Sequence, residues 1–395
     1  MKYAMTFAFG VMLLCMSFAS AEYLSVPEDY ATIQSAVDSA QPGDTVLVQP
    51  GVYRGDGNRD IDLRGKDIVI RSRSMSWIDC ESQAGDKHVG FLIISGESPA
   101  ARVEGFTIEN AGHGAASWAA GIVISNNSSP SIVDCMVLNS NIGIISEAGS
   151  NPEIADSIFY ANSSHGIVCG AHARGSIINC LVVENGGNGM TFGHIGEPEV
   201  MNCTVASNSG FGVVLDESYT MFRSCIVWGN GSGSFDETLS VPDVAWCLVE
   251  GGHSGDNNKS SDPLFTGSGQ WESYYLSQTA AAQPYDSPCL NSGHVSAKEV
   301  CFDTWSITIC LDSLTTRTDD IPDIDMVDMG YHYSPFQASP PTPTSTPAVT
   351  PTPAFTATPT PPDGLMVELL KPELPLSEGD VFFAELQITN LNDSP

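Results

Sequence analysis

The sequence is poor in basic residues. It has 15 Lys and Arg against 47 Asp and Glu, a formal net charge of −32. A surface this acidic repels phosphate backbones, so we expect no nucleic acid partner. Charged residues of either sign make up only 16% of the chain, whereas glycine alone contributes 37 residues. This composition favours β structure with tight turns over disorder.

Long apolar runs are missing beyond the first 21 residues. Residues 1–21 contain Lys2, the apolar stretch Phe7–Phe18 and an A-x-A cleavage site at 19–21, which is typical of a secretion signal. The apolar stretch is too short for a comfortable transmembrane helix. We therefore predict a secreted, extracellular or cell-surface protein whose mature chain has no transmembrane span.

An internal repeat of 22 or 23 residues is the dominant feature of the sequence. The stretch INCLVVENGGNGM at 178–190 is followed one period later by MNCTVASNSGFGV at 201–213. The anchor positions of successive copies are Cys135, Ser157, Cys180, Cys203, Cys225 and Cys247. Five residues after an anchor come Asn162, Asn185, Asn208 and Asn230, and further on Gly166, Gly189 and Gly212 recur, with Gly143 one residue early.

Each copy reads as short alternating strands broken by Gly and Asn. A repeat of about 22 residues is too short to contain a helix and predicts an all-β solenoid, a parallel β-helix whose equivalent residues stack into ladders. The anchor Cys is then a small buried side chain, and Ser157 in the same column indicates a size requirement rather than a disulfide. Asn is expected to adopt the left-handed conformation at a bend and to pair its amides along the ladder. Gly fits where a Cβ would clash.

Different sequence patterns mark the two ends of the solenoid. Apolar spacing in PEDYATIQSAVDSAQPGD predicts a helix over 31–40, started by Asp29 or Thr32, that caps a first coil beginning at Thr45–Val48. The β-helix domain is predicted to span 22–336. From about residue 234 the periodicity weakens, and DPLF, YYLS, SPCLNSG and VDMGYHY are interpreted as short strands of irregular final coils.

A change of composition separates the remainder of the chain. Residues 337–363 are rich in Pro and Thr, which predicts a stiff extended linker. Residues 364–395 contain two strand-like stretches and are interpreted as the start of an incomplete β-sandwich-like domain.

Several of these stretches resemble a known family. PEDYATIQSAVDSAQPGDTVLVQPGVYRG, GNRDIDLRGKDIVIRS and SCIVWGN are similar to secreted bacterial right-handed parallel β-helix repeat proteins of the pectin-lyase-like superfold. The series from DPLF to VDMGYHY resembles a choice-of-anchor-type C-terminal region. The resemblance covers about residues 23–333 and implies a right-handed solenoid. Since this superfold carries lyases, hydrolases, esterases, epimerases and adhesins, it assigns no reaction by itself.

The enzyme signatures of that superfold are not recognisable here. A pectin methylesterase needs a Gln, two Asp and an Arg in characteristic strand motifs, and those motifs are absent. A pectate lyase needs Ca²⁺-binding carboxylates beside a Lys or Arg base. Residues 131–230 contain no Lys and only Arg174 and Arg223.

A polar strip follows the repeated glycines. Aligned on the glycines, the copies place these residues in one column: Asn126, Glu147, His172, Arg174, His194, Asp216 and Glu217. The column is either a groove for an extended glycan or ordinary solvated turn surface. Glu147 and Asp216 lie three coils apart, about 14 Å, too far for an acid/base pair at about 5–9.5 Å. His172 and His194 could share a metal, but no third ligand is evident.

Two further features have two interpretations each, and a third leaves a pairing open. Trp118, in the insert AGHGAASWAA, either stacks on a sugar or packs over an exposed apolar strand. The acidic residues Asp319, Asp320, Asp323, Asp325 and Asp328 either bind Ca²⁺ or form charged surface, and no other cofactor is predicted. One disulfide is expected among Cys289, Cys301 and Cys310, with the pairing open.

These features together favour a secreted or cell-surface module that binds glycans, mediates adhesion or acts as a scaffold. Its expected partner is an extracellular polysaccharide or a component of the cell envelope. The alternative is a polysaccharide-active enzyme of the β-helix superfold, a lyase or a glycoside hydrolase.

Overall fold

The computed structural model describes residues 21–83, 85–112, 119–170, 172–267, 271–334, 365–369 and 386–390. The chain divides into two compact units, 1–338 and 339–395. The first unit is a right-handed parallel β-helix of about nine turns. Residues 1–20 of the predicted signal, the whole predicted linker and Trp118 fall outside the described ranges.

The strands of the first unit are short and nearly all parallel. In chain order they are β1 (Tyr23–Val26), β2 (Thr45–Val48), β3 (Gly51–Tyr53), β4 (Ile61–Asp62), β5 (Val69–Asp79), β6 (Phe91–Ile93), β7 (Arg102–Glu109), β8 (Ala120–Ile124), β9 (Ser131–Val133), β10 (Met136–Leu138), β11 (Ile142–Ser146), β12 (Glu153–Ala155), β13 (Ile158–Tyr160), β14 (Ile167–Cys169), β15 (Ser176–Ile178), β16 (Leu181–Val183), β17 (Met190–Gly193), β18 (Glu199–Met201), β19 (Thr204–Ala206), β20 (Phe211–Asp216), β21 (Met221–Arg223), β22 (Ile226–Trp228), β23 (Gly233–Thr238), β24 (Asp243–Ala245), β25 (Leu248–Val249), β26 (Cys301–Asp303) and β27 (Thr308–Cys310). The second unit contains the antiparallel pair β28 (Leu365–Leu369) and β29 (Leu386–Asn390). Whether this pair belongs to a β-sandwich stays a prediction.

The parallel strands form three stacks, one on each side of the solenoid. Stack 1 contains β1, β2, the first part of β5 and β7, then β9, β12, β15, β18, β21 and β24. Stack 2 contains β3, the second part of β5 and β7, then β10, β13, β16, β19, β22 and β25. Stack 3 contains β4, β6, β8, β11, β14, β17, β20 and β23. Inward-facing side chains of all three stacks fill one continuous apolar core.

A short helix closes the N-terminal end, as predicted. Helix α1 spans Ile33–Ser39, and the Thr32 side chain accepts a hydrogen bond from the Ser35 backbone N–H at 3.2 Å. Its buried face contains Ile33, Ala36 and Val37, the spacing expected from the sequence. The predicted start of the first coil was wrong, because β1 precedes the helix and pairs in register with β2. The first coil therefore begins at Tyr23.

Within the described residues, four 3-10 helices lie C-terminal to the coils, at Trp271–Tyr274, Thr279–Ala281, Ala297–Glu299 and Leu311–Ser313. No helix among the described residues has the length and apolar character needed to cross a membrane.

The anchor cysteines lie just after the bend between stacks 1 and 2. The residue before each anchor has a left-handed backbone, with φ between 47° and 53°: Asp134, Asp156, Asn179, Asn202, Ser224 and Trp246. The anchors point into the core and are buried, and the Cys180 backbone N–H lies 3.4 Å from Cys203 Sγ. Ser157 Oγ donates to the Ala155 carbonyl at 2.8 Å, so a hydroxyl is satisfied in this column.

The asparagine ladder lies at the bend between stacks 2 and 3. Asn162, Asn185, Asn208 and Asn230 are buried, and each side-chain amide donates to Oδ1 of the next at 2.8–3.0 Å. The left-handed residue at this bend is the one before each asparagine, such as Ala161 or Glu184, and not the asparagine itself. The following glycines are required by packing, since a Cβ on Gly189 would lie 2.7 Å from the Gly212 carbonyl oxygen.

The C-terminal part differs from the prediction. Stacking continues regularly through β23, β24 and β25, so the coils do not become irregular at residue 234. Residues 260–267 and 271–334, the return segment, then fold back over the outside of the coils instead of adding coils. His332 and Asn179 exchange two hydrogen bonds, at 2.7 and 2.9 Å. The Tyr331 N–H donates to Thr204 Oγ1 at 2.9 Å.

The return segment reaches the first coils through a hairpin. Strands β26 and β27 are joined by the disulfide Cys301–Cys310, which answers the open question of pairing, and Cys289 is free and buried. At the hairpin tip the ring of Trp305 lies 4.4 Å from the Arg71 guanidinium carbon. The backbone N–H of Trp305 donates to Glu104 Oε2 at 2.7 Å. The hairpin therefore connects residues about 200 positions apart in the chain.

Candidate functional site

The predicted polar strip follows the strands of stack 3, where each strand gives way to a turn. Glu147 and Asp216 occupy the same register position, with Gly170 and Gly193 between them. Three coils therefore separate the two carboxylates, and they form no acid/base pair with each other.

The histidines are offset from that column. His194 comes one register position after Gly193, and His172 comes two positions after Gly170. Their backbones still meet, since the His172 N–H donates to the His194 carbonyl at 3.0 Å, and both side chains are exposed. The strip residues therefore lie along one edge of the solenoid, at several register positions. The single column predicted from the glycine alignment was wrong.

Arg174 has a partner on the next coil. Its guanidinium lies 3.6 Å from the Glu197 carboxylate, with side chains 63% and 30% exposed. An exposed pair of this kind contributes little to stability. Arg174 therefore remains available to exchange Glu197 for an anionic ligand.

The strip borders an open face of stack 3. Val168, Thr191 and Val214 point outward in register on successive coils and are half-buried. On the side away from the strip lie His165, Asn188 and Phe211, also in register and half-buried. We call these six residues the stack 3 face.

The polar members of the stack 3 face are fixed by neighbouring coils. His165 Nδ1 accepts from the Asn188 N–H, and Asn188 Oδ1 accepts from the Phe211 N–H, both at 3.0 Å. Burial lowers the pKa of His165 against the opposing effect of the Asn188 bond, so its ring is neutral near pH 7. The face therefore presents aliphatic, aromatic and neutral polar groups at a repeat of about 4.8 Å.

The other two sides of the same coils are covered. Over stack 2, Tyr331 and Tyr333 pack on Ile158, Leu181 and Ala206. Over stack 1, the return segment packs on outward-facing side chains that include Val133, Ala155 and Ile178. Among the described residues of these coils, stack 3 is the side left open from Val168 onward, whereas Val123 and Ile145 on the preceding strands are buried.

A second constellation, which the sequence reasoning missed, lies on the first coils. Asp79 and Glu109 are in register on neighbouring coils of stack 2. Asp79 accepts hydrogen bonds from Arg54 Nε at 2.8 Å and from Asn110 Nδ2 at 2.9 Å. Glu109 is 7% exposed, and no described residue donates a hydrogen bond to its carboxyl group.

The two carboxyl groups have opposite pKa shifts. Burial pushes the pKa of Asp79 upward, but the bonds from Asn110 and Arg54 outweigh burial and hold it below its usual value. Burial, reinforced by the nearby Asp79 charge, raises the pKa of Glu109. Such a divergence is characteristic of carboxyl pairs in which one group is acid and the other ionised.

A sequence signal for this region exists. Eight of the 15 Lys and Arg residues fall within residues 54–102, alongside eight Asp and Glu. The first coils are therefore charge-balanced in a chain that is otherwise strongly acidic.

Carboxylates of the acidic run form hydrogen bonds and ion pairs with other residues of the return segment. Asp319 is bound by Arg317 at 2.8 Å, and Asp323 Oδ2 lies 2.9 Å from His332 Nε2. Asp328 accepts from Thr316 Oγ1 at 2.6 Å, and burial beside Asp323 raises its pKa. Across the described ranges, no three His, Cys, Asp or Glu side chains converge as a metal site.

The comparisons with known proteins agree on the fold. Residues 56–197 and, overlapping them, 89–244 match the family model described as "Right handed beta helix region". No curated protein matches the sequence. The chain is similar to the crystal structure of the pectate lyase Pel9A, at 13% identity and a TM-score of 0.50, covering 80% of this chain and 98% of that one. It also matches the A-module of the Azotobacter vinelandii mannuronan C-5 epimerase AlgE6, at 16% identity and a TM-score of 0.35, covering 58% of this chain and 70% of that one. The family model and the likeness to Pel9A show that the chain shares the right-handed β-helix fold, and at 13% identity the likeness shows the fold alone.

Proposed function

We propose that the protein is exported and binds an extended extracellular polysaccharide along the stack 3 face. The observation that carries this proposal is the open face itself, bordered by the exposed residues His172, Arg174 and His194 while the other two sides of the same coils are covered. Aliphatic and aromatic side chains provide surface for sugar rings, and flanking polar groups provide hydrogen bonds.

The repeat of the face matches its proposed ligand. Successive coils are about 4.8 Å apart, close to the length of one sugar residue, so neighbouring coils contact neighbouring sugars. The similar fold of Pel9A makes pectate the first ligand to test. Arg174 supplies a bidentate site for a uronate carboxylate, and the exposed side chains of His172 and His194 lie beside it on the same edge.

The test is calorimetric titration of oligogalacturonates of three to six units. We expect binding that weakens with added salt and drops about tenfold in Arg174→Ala. Lys87→Ala removes an equally exposed cation from a distant coil and should leave the affinity unchanged. Phe211→Ala should also weaken binding. Equal affinities in wild type and both stack 3 variants would rule the face out.

A second candidate function is a glycoside hydrolase centred on Asp79 and Glu109. Adjacent coils put the two carboxyl groups about 5 Å apart, near the separation in retaining enzymes. Arg54 and Asn110 keep Asp79 ionised as the nucleophile, and Glu109 carries the proton for the leaving group.

This alternative is tested with a polysaccharide panel. Reducing ends report hydrolysis, and absorbance at about 235 nm reports elimination. Product that disappears in Glu109→Gln, with an unchanged melting temperature, would establish the enzyme. The absence of product from every polysaccharide that the stack 3 face binds would leave binding as the function.

A further inference from the structure

A shallow cavity of about 410 Å³, wide open to solvent, lies at the C-terminal end of the coils, away from the stack 3 face. Its wall includes Trp246, Asn257, Asn258, Lys259, Asn291 and Ser292. The volume is within the range of small-molecule sites, about 300–1,000 Å³. The wall combines one indole, one ammonium and three amides, a set suited to a sugar.

Lys259 is a cation without a counter-charge. Its half-buried Nζ donates to the Pro288 carbonyl at 2.5 Å and to Ser292 Oγ at 2.6 Å. An ammonium has three donors, so one remains. Among the described residues, no carboxylate lies within ion-pair distance of Lys259. A partly buried charge of this kind is costly unless an anion pairs with it.

Trp246 is held in an unusual conformation. It occupies the left-handed position of the stack 1–2 bend, with φ of 53°, where the preceding coils have Asp, Asn or Ser. A bulky residue is rare in this region of backbone space, and such strain is characteristic of binding sites. The half-buried indole N–H has no hydrogen-bond partner among the described residues.

Two of the amide side chains also lack hydrogen-bond partners among the described residues. The side chains of Asn257 and Asn291 are exposed and make no hydrogen bond within the described chain. Asn258, in contrast, is fully occupied, since it donates to the Val244 carbonyl at 2.8 Å and accepts from the Cys247 N–H at 3.0 Å. Asn258 builds the wall, whereas Asn257 and Asn291 offer donors and acceptors to a ligand.

We propose that this cavity binds a single carboxylated sugar residue, a uronate. The sugar ring packs on Trp246, its carboxylate pairs with Lys259, and its hydroxyl groups bond to Asn257 and Asn291. This second glycan site is separate from the stack 3 face and does not depend on it.

The experiment follows the indole ¹H–¹⁵N resonance of Trp246, assigned with Trp246→Phe, during titration with D-galacturonate, D-glucuronate or galactose. We expect the uronates to shift the resonance at concentrations about tenfold lower than galactose, because a charge-assisted bond is added. Asn257→Ala should weaken uronate binding several-fold without changing the melting temperature. Asn151→Ala, an exposed amide on another coil, is the matched control, and Arg174→Ala should have no effect.

Lys259→Met should abolish the preference for uronates over galactose. Lys259→Met lacks the hydrogen bonds to Pro288 and Ser292. If it is less stable for that reason, the preference of the wild type for uronates and the affinity of Asn257→Ala still test the proposal. An unmoved Trp246 resonance, or equal affinities for uronate and galactose in the wild type, would overturn the proposal.

Discussion

The side-chain amide of Asn185 donates to Oδ1 of Asn208 on the next coil at 2.8 Å, and Asn185 Oδ1 accepts from both the backbone and side-chain N–H of Asn162 at 3.0 Å. Replacing Asn185 with Ala leaves the two buried donors of Asn162 unpaired. We expect Asn185→Ala to lower the free energy of unfolding by about 2–4 kcal/mol.

Urea unfolding of Asn185→Ala against Asn151→Ala, whose side chain is exposed, measures this effect. A loss below about 1 kcal/mol for Asn185→Ala would mean that water replaces the missing amide.

The anchor column predicts unequal effects of two substitutions at Cys180. Cys180→Ser should cost little, since its hydroxyl can donate to the Ile178 carbonyl as Ser157 donates to Ala155. Cys180→Asp buries a carboxyl group in the apolar core and should cost several kcal/mol. Thermal melting compares the two variants, and equal melting temperatures would contradict the burial of the column.

Asp156 predicts a pH effect on stability. Its carboxyl accepts from Asn179 Nδ2 at 2.8 Å, and it faces Asp134 on the preceding coil and Tyr331 of the return segment. Burial, and then the Asp134 charge, raise its pKa in the fold. A raised pKa gives a contribution that is present below the unfolded value, about 4, and is lost as the pH rises through the folded value.

We therefore expect Asp156→Asn to melt at a higher temperature than wild type at pH 8 and to show little difference at pH 4. The amide keeps the oxygen that Asn179 needs and can donate to Asp134. Melting temperatures across this pH range test the prediction. A wild type that is more stable than the variant at pH 8 would show that the carboxylate is stabilised.

Trp305 should control the docking of the hairpin on the first coils. Trp305→Ala removes the contact with Arg71 and the edge contact with Tyr23, for which we expect a loss of about 1–2 kcal/mol. Hydrogen exchange should accelerate in β1 and stay unchanged in β16. Ile307→Ala, at an exposed hairpin position, is the control. Equal exchange in β1 for both variants would place the docking energy elsewhere.

The repeating part of the fold could be predicted because every coil makes the same contacts with its neighbours. Each coil packs on its neighbours at the positions that Cys180, Asn185 and Gly189 occupy in one copy. The same residue types are therefore required at a constant spacing, and a single sequence shows that spacing. The capping helix was equally readable from apolar spacing at Ile33, Ala36 and Val37. The start of the first coil was missed because β1 is a single short strand with no repeat partner before it.

The return segment and the second carboxyl pair could not be predicted in the same way. Contacts such as His332 with Asn179 join residues 153 positions apart and leave no periodic trace. The Asp79 and Glu109 pairing depends on a register shift within β5, which a fixed repeat length does not reveal. The strip residues lie along one edge of the solenoid but do not share one column, because His194 and His172 come one and two positions after Gly193 and Gly170, and their role as a site stays a prediction.

The return segment also affects how the β-helix unfolds and how it folds during synthesis. In a simple stack each coil touches only its neighbours, so an end can fray while the centre stays intact. Here Trp305 at the hairpin tip contacts Tyr23 of the first coil and Tyr331 bonds to Thr204 in the middle, so the return segment links coils that are not neighbours. Unfolding should therefore be cooperative. During synthesis the coils emerge before the residues that cover them, so their apolar outer sides stay exposed until the last part of the domain arrives.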